Sequence, residues 1–214
     1  MPARLRPTAP IAPDAILVGD PGRALLLAQA LLTGPKMSNH ARGLWGYSGR
    51  TPAGHELTIQ STGMGGPSAS IVLADLAELG VRRAIRIGTC AATAAEHSSG
   101  ELVVVEAART SDGEGVSPDP ELTAALEREL GGPARTAAVL SLDRLYRPGA
   151  AEVAAPAKLV DMQTAALLRR GPELEVAIAA ILIVIESEAG DLSEEELEAA
   201  AKKAGEVASA VLSA

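Results

Sequence analysis

The stretch from Ser61 to Cys90, STGMGGPSASIVLADLAELGVRRAIRIGTC, decides the fold. It opens on a glycine-rich turn, Gly63-Met64-Gly65-Gly66-Pro67-Ser68. Apolar Ile71, Val72, Leu76 and Leu79 then recur at three- and four-residue steps, the period of a helix with one buried face. Gly80 closes that helix, because glycine accepts the left-handed cap conformation at little cost. A strand from Ala84 to Gly88 follows and carries Arg86, Gly88, Thr89 and Cys90 to its carboxyl end. Turn, helix and strand in this order form the repeating unit of an open α/β sheet. Such sheets collect ligands where strands end and helices begin. An arginine beside a glycine and a hydroxyl at that point predicts an anion site, with a planar guanidinium fork and shorter donors around it. Arg86 paired to a surface carboxylate is the plainer alternative.

Upstream, Ala15 to Val18 reads as a short buried strand ended by Gly19-Asp20-Pro21-Gly22-Arg23, with helix formers from Ala24 to Leu32. The turn would aim backbone N–H groups at an oxyanion, and Arg23 would add charge. Alternatively, the glycines serve the turn alone and Asp20 caps the helix. Ala41 to Ser48 and Glu56 to Thr62 read as strands joined by Thr51-Pro52-Ala53-Gly54. Arg42 stands at the start of the first, three residues before Trp45. Residues 1–13, with their prolines, read as an extended arm.

Downstream, Glu101 to Ala107 is a β-branched strand, Asp112 to Pro120 a loop, and Asp119 to Leu130 a helix with Pro120 at its first position. Thr136 to Leu140 is a short strand, and residues 148–157 a low-complexity connection. Lys158 to Val160 is a brief strand running into Asp161-Met162-Gln163-Thr164, where a helix starts. Val176 to Ile185 is the most apolar run and reads as a central strand, with Glu186 at its end. Ser193-Glu194-Glu195-Glu196 is a capping box before the terminal helix.

The bulk numbers narrow the class. With 214 residues and no internal repeat, the chain reads as one domain, residues 1–214. Apolar residues make up 47%, yet there is no Phe, one Trp and two Tyr, so the core must be aliphatic and a base would find few aromatic partners. A net charge of -8 argues against non-specific nucleic-acid binding. One cysteine allows neither an internal disulfide nor a zinc cluster and fits a reducing compartment. No run has the length of a signal peptide's apolar region or of a membrane span, which predicts a cytoplasmic protein.

In order and at family-like spacing, Gly19–Arg23, Arg42-Gly43, Ser61–Ser68, Arg86–Cys90 and Asp161-Met162-Gln163 together resemble the nucleoside phosphorylase superfamily of purine and uridine phosphorylases. The resemblance runs from about Asp14 to the terminal helix. It implies a three-layer α/β/α sandwich around a mixed, partly barrel-like sheet. It also implies phosphorolysis of a nucleoside to a free base and (deoxy)ribose 1-phosphate, with inorganic phosphate as co-substrate and neither cofactor nor metal. Residue by residue, Arg23, Arg86 and Thr89 with the backbone at Gly19 would hold phosphate. Arg42 would reach a neighbouring subunit's phosphate, making a dimer the minimum unit and a hexamer the family form. Met64 and Met162 would line the ribose, and Asp161 and Gln163 would stand where the family has two glutamates, Gln163 meeting the sugar hydroxyls. Glu186 would take the place of the purine-protonating aspartate, as a general acid raised by burial or as an ordinary strand-end glutamate.

The nucleoside half departs from that pattern. Gln163 has lost a charge, so on this reading Gln163→Glu should improve a slow enzyme. The Gln and Arg that uridine phosphorylases carry before the Glu-Met-Glu motif are missing, and only Leu145 stands in for a stacking aromatic. His40, His55 and His97 sit where no motif needs them. A hydrolytic nucleosidase, or a nucleoside- or phosphate-binding protein with little catalysis, are the competing readings.

Overall fold

The computed structural model describes residues 4–93, 95–131, 136–144 and 158–214. Leu145, Tyr146 and the connection 148–157 lie outside the described residues. Strand β1 (Asp14–Val18) leads into helix α1 (Pro21–Leu31), and β2 (Thr33–Asn39), β3 (Gly46–Arg50) and β4 (Glu56–Ser61) form a meander. Helix α2 (Gly66–Glu78) precedes β5 (Arg83–Ala92), β6 (Leu102–Arg109) and the two-residue β7 (Gly115–Val116). Helix α3 (Pro120–Glu129), β8 (Thr136–Ser141), β9 (Leu159–Asp161) and α4 (Thr164–Glu173) follow. Last come β10 (Ala177–Ser187), β11 (Gly190–Asp191) and α5 (Glu194–Ser213).

The strands form one mixed sheet whose middle closes on itself. β10 pairs with β6, β6 with β8, β8 with β9, β9 with β5, and β5 again with β10, a ring of five strands. From β5 the sheet runs outward through β1 and β4, both parallel to it, to β3 and β2 at the edge. Alternation along β1 shows how two cores arise: Ala15 and Leu17 join one apolar cluster, Ile16 and Val18 the other. The first cluster is covered by α2 and α4, with Leu73, Leu76, Leu167 and Leu168. The second is covered by α1, α3 and α5, with Leu27, Leu126, Val211 and Leu212. Helices on both faces of the sheet give the expected three layers.

Local chemistry explains the element ends. Asp20 caps α1 by accepting from Arg23 N at 2.8 Å, while Gly19 and Arg23 still line a cavity, so the cap and an anion site are compatible at this turn. Asp119 caps α3 in the same way, and Ser193 with Glu196 forms a full capping box on α5. Residues 4–13 form a docked strap: Arg4 N and Leu5 N donate to Asp75 Oδ2 at 2.6 and 2.7 Å, and Ala12 N to Thr58 Oγ1 at 2.9 Å.

One expectation needs correcting, and one strand has no counterpart in the sequence reading. Ala41 to Ser48 is not one strand: Ala41–Gly43 is a tight 3-10 turn, and pairing begins at Gly46. The turn is forced by Arg42 and Gly43, both in the left-handed region at φ 61° and 70°. Thr33–Asn39, TGPKMSN, forms a strand that its polar, proline-bearing sequence hides. It survives because it is the sheet edge, where a residue without an N–H costs little.

Candidate active site

β1, β4, β5 and β10 run parallel, so their carboxyl ends open on one side of the sheet. A cavity of about 250 Å³ lies there, with a rim from the turn after β4. Gly19, Arg23, Met64, Arg86, Thr89, Asp161, Met162, Gln163 and Glu186 all line it, so the candidates from sequence converge with one exception. Arg42 is exposed on the 3-10 turn and does not line the cavity.

The turn Thr62–Gly65 is built from glycine's special geometry. Gly63 and Gly65 sit at φ 71° and 82°, conformations that L side chains avoid. Ser68 Oγ donates back to Thr62 O at 2.6 Å and closes the loop against the first turn of α2.

Arg86 is the centre of the site. It is only 4% exposed, although it carries a charge. Its Nε donates to Thr164 Oγ1 at 3.0 Å, Nη1 to Gln163 Oε1 at 2.7 Å, and Nη2 to Asp161 Oδ2 at 3.0 Å. A buried guanidinium is tolerated only when paired and hydrogen-bonded, and Asp161 supplies the pairing charge. The room for it is made two residues on. A Cβ at Gly88 would lie 2.5 Å from Arg86 Nη2 and 2.8 Å from Leu182 Cδ2, so Gly88 lets the guanidinium fold over its own strand.

Asp161 is held as tightly as the arginine it neutralises. Thr164 Oγ1 donates to Oδ2 at 2.6 Å, Thr164 N to the same oxygen at 3.0 Å, and Ser141 Oγ to Oδ1. Ser141 Oγ in turn accepts from Ala165 N at 2.9 Å, which ties β8 to the start of α4. β9 is antiparallel to the end of β5, and this brings Asp161 back toward Arg86.

Gln163 is 3% exposed and has partners on both sides of its amide. Oε1 accepts from Arg86 and lies 3.2 Å from Thr62 Oγ1, while Nε2 donates to Gly63 O and to Gly65 O. Thr62, Ser141 and Thr164 are not legible as site residues from sequence. Only Thr164 gives a signal, as the hydroxyl residue where a helix begins.

Arg23 reaches the same cavity from the first turn of α1. Burial lowers its proton affinity, the Asp20 carboxylate opposes that, and the Arg86 guanidinium nearby lowers it further. Two guanidiniums so disposed favour an anion between them. Ala91, Val160, Ile185, Cys90 and Glu186 line the cavity as well, Glu186 opposite Ala91 across β10 and β5, and Ala91 opposite Val160 across β5 and β9. Burial pushes the Cys90 thiol well up, and the Asp161 charge adds to it. Glu186 sits just beyond a bulge in the β10–β5 pairing and pairs with Asp191 in the β10–β11 hairpin, so a defined backbone aims it.

Known proteins resemble this chain in sequence and in fold. A family model described as the phosphorylase superfamily matches residues 13–214. A DeoD-type purine nucleoside phosphorylase of Oceanobacillus iheyensis is 39% identical over 101 residues, which is 47% of this chain and 43% of that protein. The Geobacillus stearothermophilus enzyme of the same name is 43% identical over 83 residues, 38% of this chain and 35% of its own length. The chain thus spans less than half the length of these curated relatives. Among solved structures, uridine phosphorylase from Vibrio fischeri, complexed with 6-hydroxy-1-naphthoic acid, superposes with a TM-score of 0.83 at 22% identity, covering 95% of this chain and 92% of that one. Purine nucleoside phosphorylase from Toxoplasma gondii, in complex with immucillin-H, gives 0.79 at 24% identity, covering 94% and 89%.

Proposed function

The chain belongs to the phosphorylase superfamily, and from that premise we propose that it is a nucleoside phosphorylase, a pentosyltransferase that moves the (deoxy)ribosyl group of a purine or pyrimidine nucleoside to inorganic phosphate. One observation supports the reading: a cavity lined by the cations Arg23 and Arg86 and by Thr89 is also lined by the carboxyl of Glu186.

The chemistry follows from that polarity. Phosphate oxygen forms a bond to the anomeric carbon as the carbon–nitrogen bond to the base breaks, through an oxocarbenium-like state. The two guanidiniums, Thr89 and the backbone at Gly19 place the dianion beside the developing cation, a preorganised electrostatic contribution. One N–H on each terminal nitrogen of Arg86 is left over from its three internal bonds and serves phosphate. Met64, 87% exposed at the rim, and Met162 flank the sugar. Glu186 gives its proton to the departing base. No cofactor or metal is required by these steps.

Arg42, outside its own cavity and held at φ 61°, completes the phosphate site of a second copy, which makes the active form at least a dimer and, by family analogy, a hexamer of three dimers. The whole of residues 1–214 acts as one unit, with the arm as part of it. Among the described residues no helix is long and apolar enough to cross a membrane, and we place the protein in the cytoplasm.

A second reading, binding without turnover, has one observation in its favour: both donors of the Gln163 amide are already engaged, which leaves the sugar fewer partners. The test is a panel of purine and pyrimidine ribo- and deoxyribonucleosides incubated with and without phosphate. Base release that depends on phosphate, by an oligomer in sedimentation, is the expected result. Release without phosphate would make it a hydrolase, and a thermal shift without release would make it a binding protein.

A further inference from the structure

The amide of Gln163 faces a cation on one side and two carbonyls on the other. Arg86 Nη1 points at Oε1 from 2.7 Å, and Gly63 O and Gly65 O receive Nε2. The amide can therefore sit only one way round, because a carbonyl cannot face two carbonyls nor an amino group a guanidinium. The contacts bridge pieces far apart in the chain: Gln163 is 77 residues from Arg86 and 100 from Gly63. It also borders Gly19, where an added Cβ would lie 3.8 Å from Oε1 and 3.5 Å from Gly63 O.

We propose that Gln163 is a positioning residue for the phosphate end, its amide clamping the Arg86 guanidinium to the Gly63–Gly65 turn, and that this chain requires an uncharged donor at that position. The inference rests on the reading of Arg86 as a phosphate ligand. It reverses what the sequence predicts for this position. A carboxylate has acceptors but no N–H to give, so Gln163→Glu would set a negative oxygen against Gly63 O and Gly65 O. It would also place a second anion on Arg86, which Asp161 already neutralises at 3.0 Å. Less positive charge would remain for phosphate, and the turn that forms the rim would come loose.

Protonation should undo the damage, since a carboxylic acid regains one donor. The ionisable groups around position 163 are Arg86 on β5, Asp161 on β9, Arg23 on α1, Glu186 on β10 and the Cys90 thiol. Burial, the two carbonyls and the Asp161 charge all favour the protonated acid there, and Arg86 with Arg23 opposes them. The carboxylate introduced by Gln163→Glu would thus take up a proton as pH falls, and the defect would shrink below the pKa that this carboxyl has in the folded protein.

Inorganic phosphate binding by titration calorimetry is measured on the wild type, Gln163→Glu and Gln163→Met from about pH 8 to about pH 5, across the range of a shifted carboxyl. Taking each variant's ratio to the wild type cancels phosphate's own ionisation. Gln163→Glu should bind about tenfold more weakly at the upper pH, the scale of a lost charge-assisted bond, and approach the wild type at the lower. Gln163→Met, which never has a donor, should be weakened alike at every pH. A pH-independent ratio for Gln163→Glu, or tighter binding by it at the upper pH, overturns the proposal, as does wild-type binding by Gln163→Met. Hydrogen exchange across residues 62–66 without phosphate separates the clamp from the ligand. Exchange should quicken in Gln163→Met, and unchanged exchange sinks the clamp. A wild type that binds no phosphate, with exchange quickened in the variant, would instead bring down the phosphate-site reading.

Discussion

Two parts of the cavity lining are built on opposite principles. Around Arg86, the part proposed for phosphate, side chains fix one another: Arg86 by Thr164, Gln163 and Asp161, and Asp161 by Ser141 and Thr164. Around Glu186, the part proposed for the base, Ala91, Val160, Ile185 and Cys90 offer aliphatic and thiol surface. The first end is rigid before any ligand arrives, so charge can act without reorganisation cost. The second, on the proposed reading, would grip a base by shape and a single proton donor. Two of the chain's departures from the family pattern, Asp161 and Gln163, belong to the first network, and Glu186 belongs to the second group.

The sharpest way to break the comparison is Arg86→Ala. Removing the cation strands Asp161 without its pairing charge in a site where the aspartate is 5% exposed, and loss of one partner of such a pair costs about 3–5 kcal/mol. Thermal or chemical unfolding should register that loss alongside abolished phosphate binding. A variant as stable as the wild type would show that the phosphate end is not held by this network. Glu186→Gln tests the other end. Stability should stay within about 0.5 kcal/mol, as for a partly exposed side chain, while turnover falls about a hundredfold or more through loss of the acid. Unchanged kcat would remove Glu186 from the chemistry. The smallest effect concerns Cys90. Its thiol, pushed up by burial, should alkylate far more slowly than a free thiol at about pH 8, and bound nucleoside should slow it further. Fast labelling in the folded protein would mean that the base end is wet.

The fold is legible in the sequence because its signals are local. The helix period from Ile71 to Leu79, the glycines of the turn and the apolar run of β10 are each complete within a short stretch of sequence. β2 escapes such a reading since TGPKMSN carries the composition of a loop, and only its place at the sheet edge makes it a strand. In the site, the positions at strand ends are visible in the motifs, but their partners are not. Gln163 looks like a weakened sugar ligand until Gly63 O and Gly65 O are seen against its amide. Ser141 carries no motif, and Thr62 and Thr164 stand in or beside motifs without a marked role; only the fold brings Ser141 and Thr164 to Asp161 and Thr62 to Gln163.

The closed ring of strands also bears on how the chain acquires its activity. β5 and β10 pair over nine positions although they lie on opposite sides of four intervening strands and two helices in sequence. Loop closure of that length must come before the contacts that reward it, so the rate of folding should be set by this one seam. Thr62 and Gln163, 101 residues apart, meet through the pairing of β9 with β5, and β10 closes the ring beside them. A growing chain on the ribosome would therefore hold most of its helices before it could bind anything. The emergence of residues 177–187 would be the moment at which the seam can close and the wall that carries Glu186 is added.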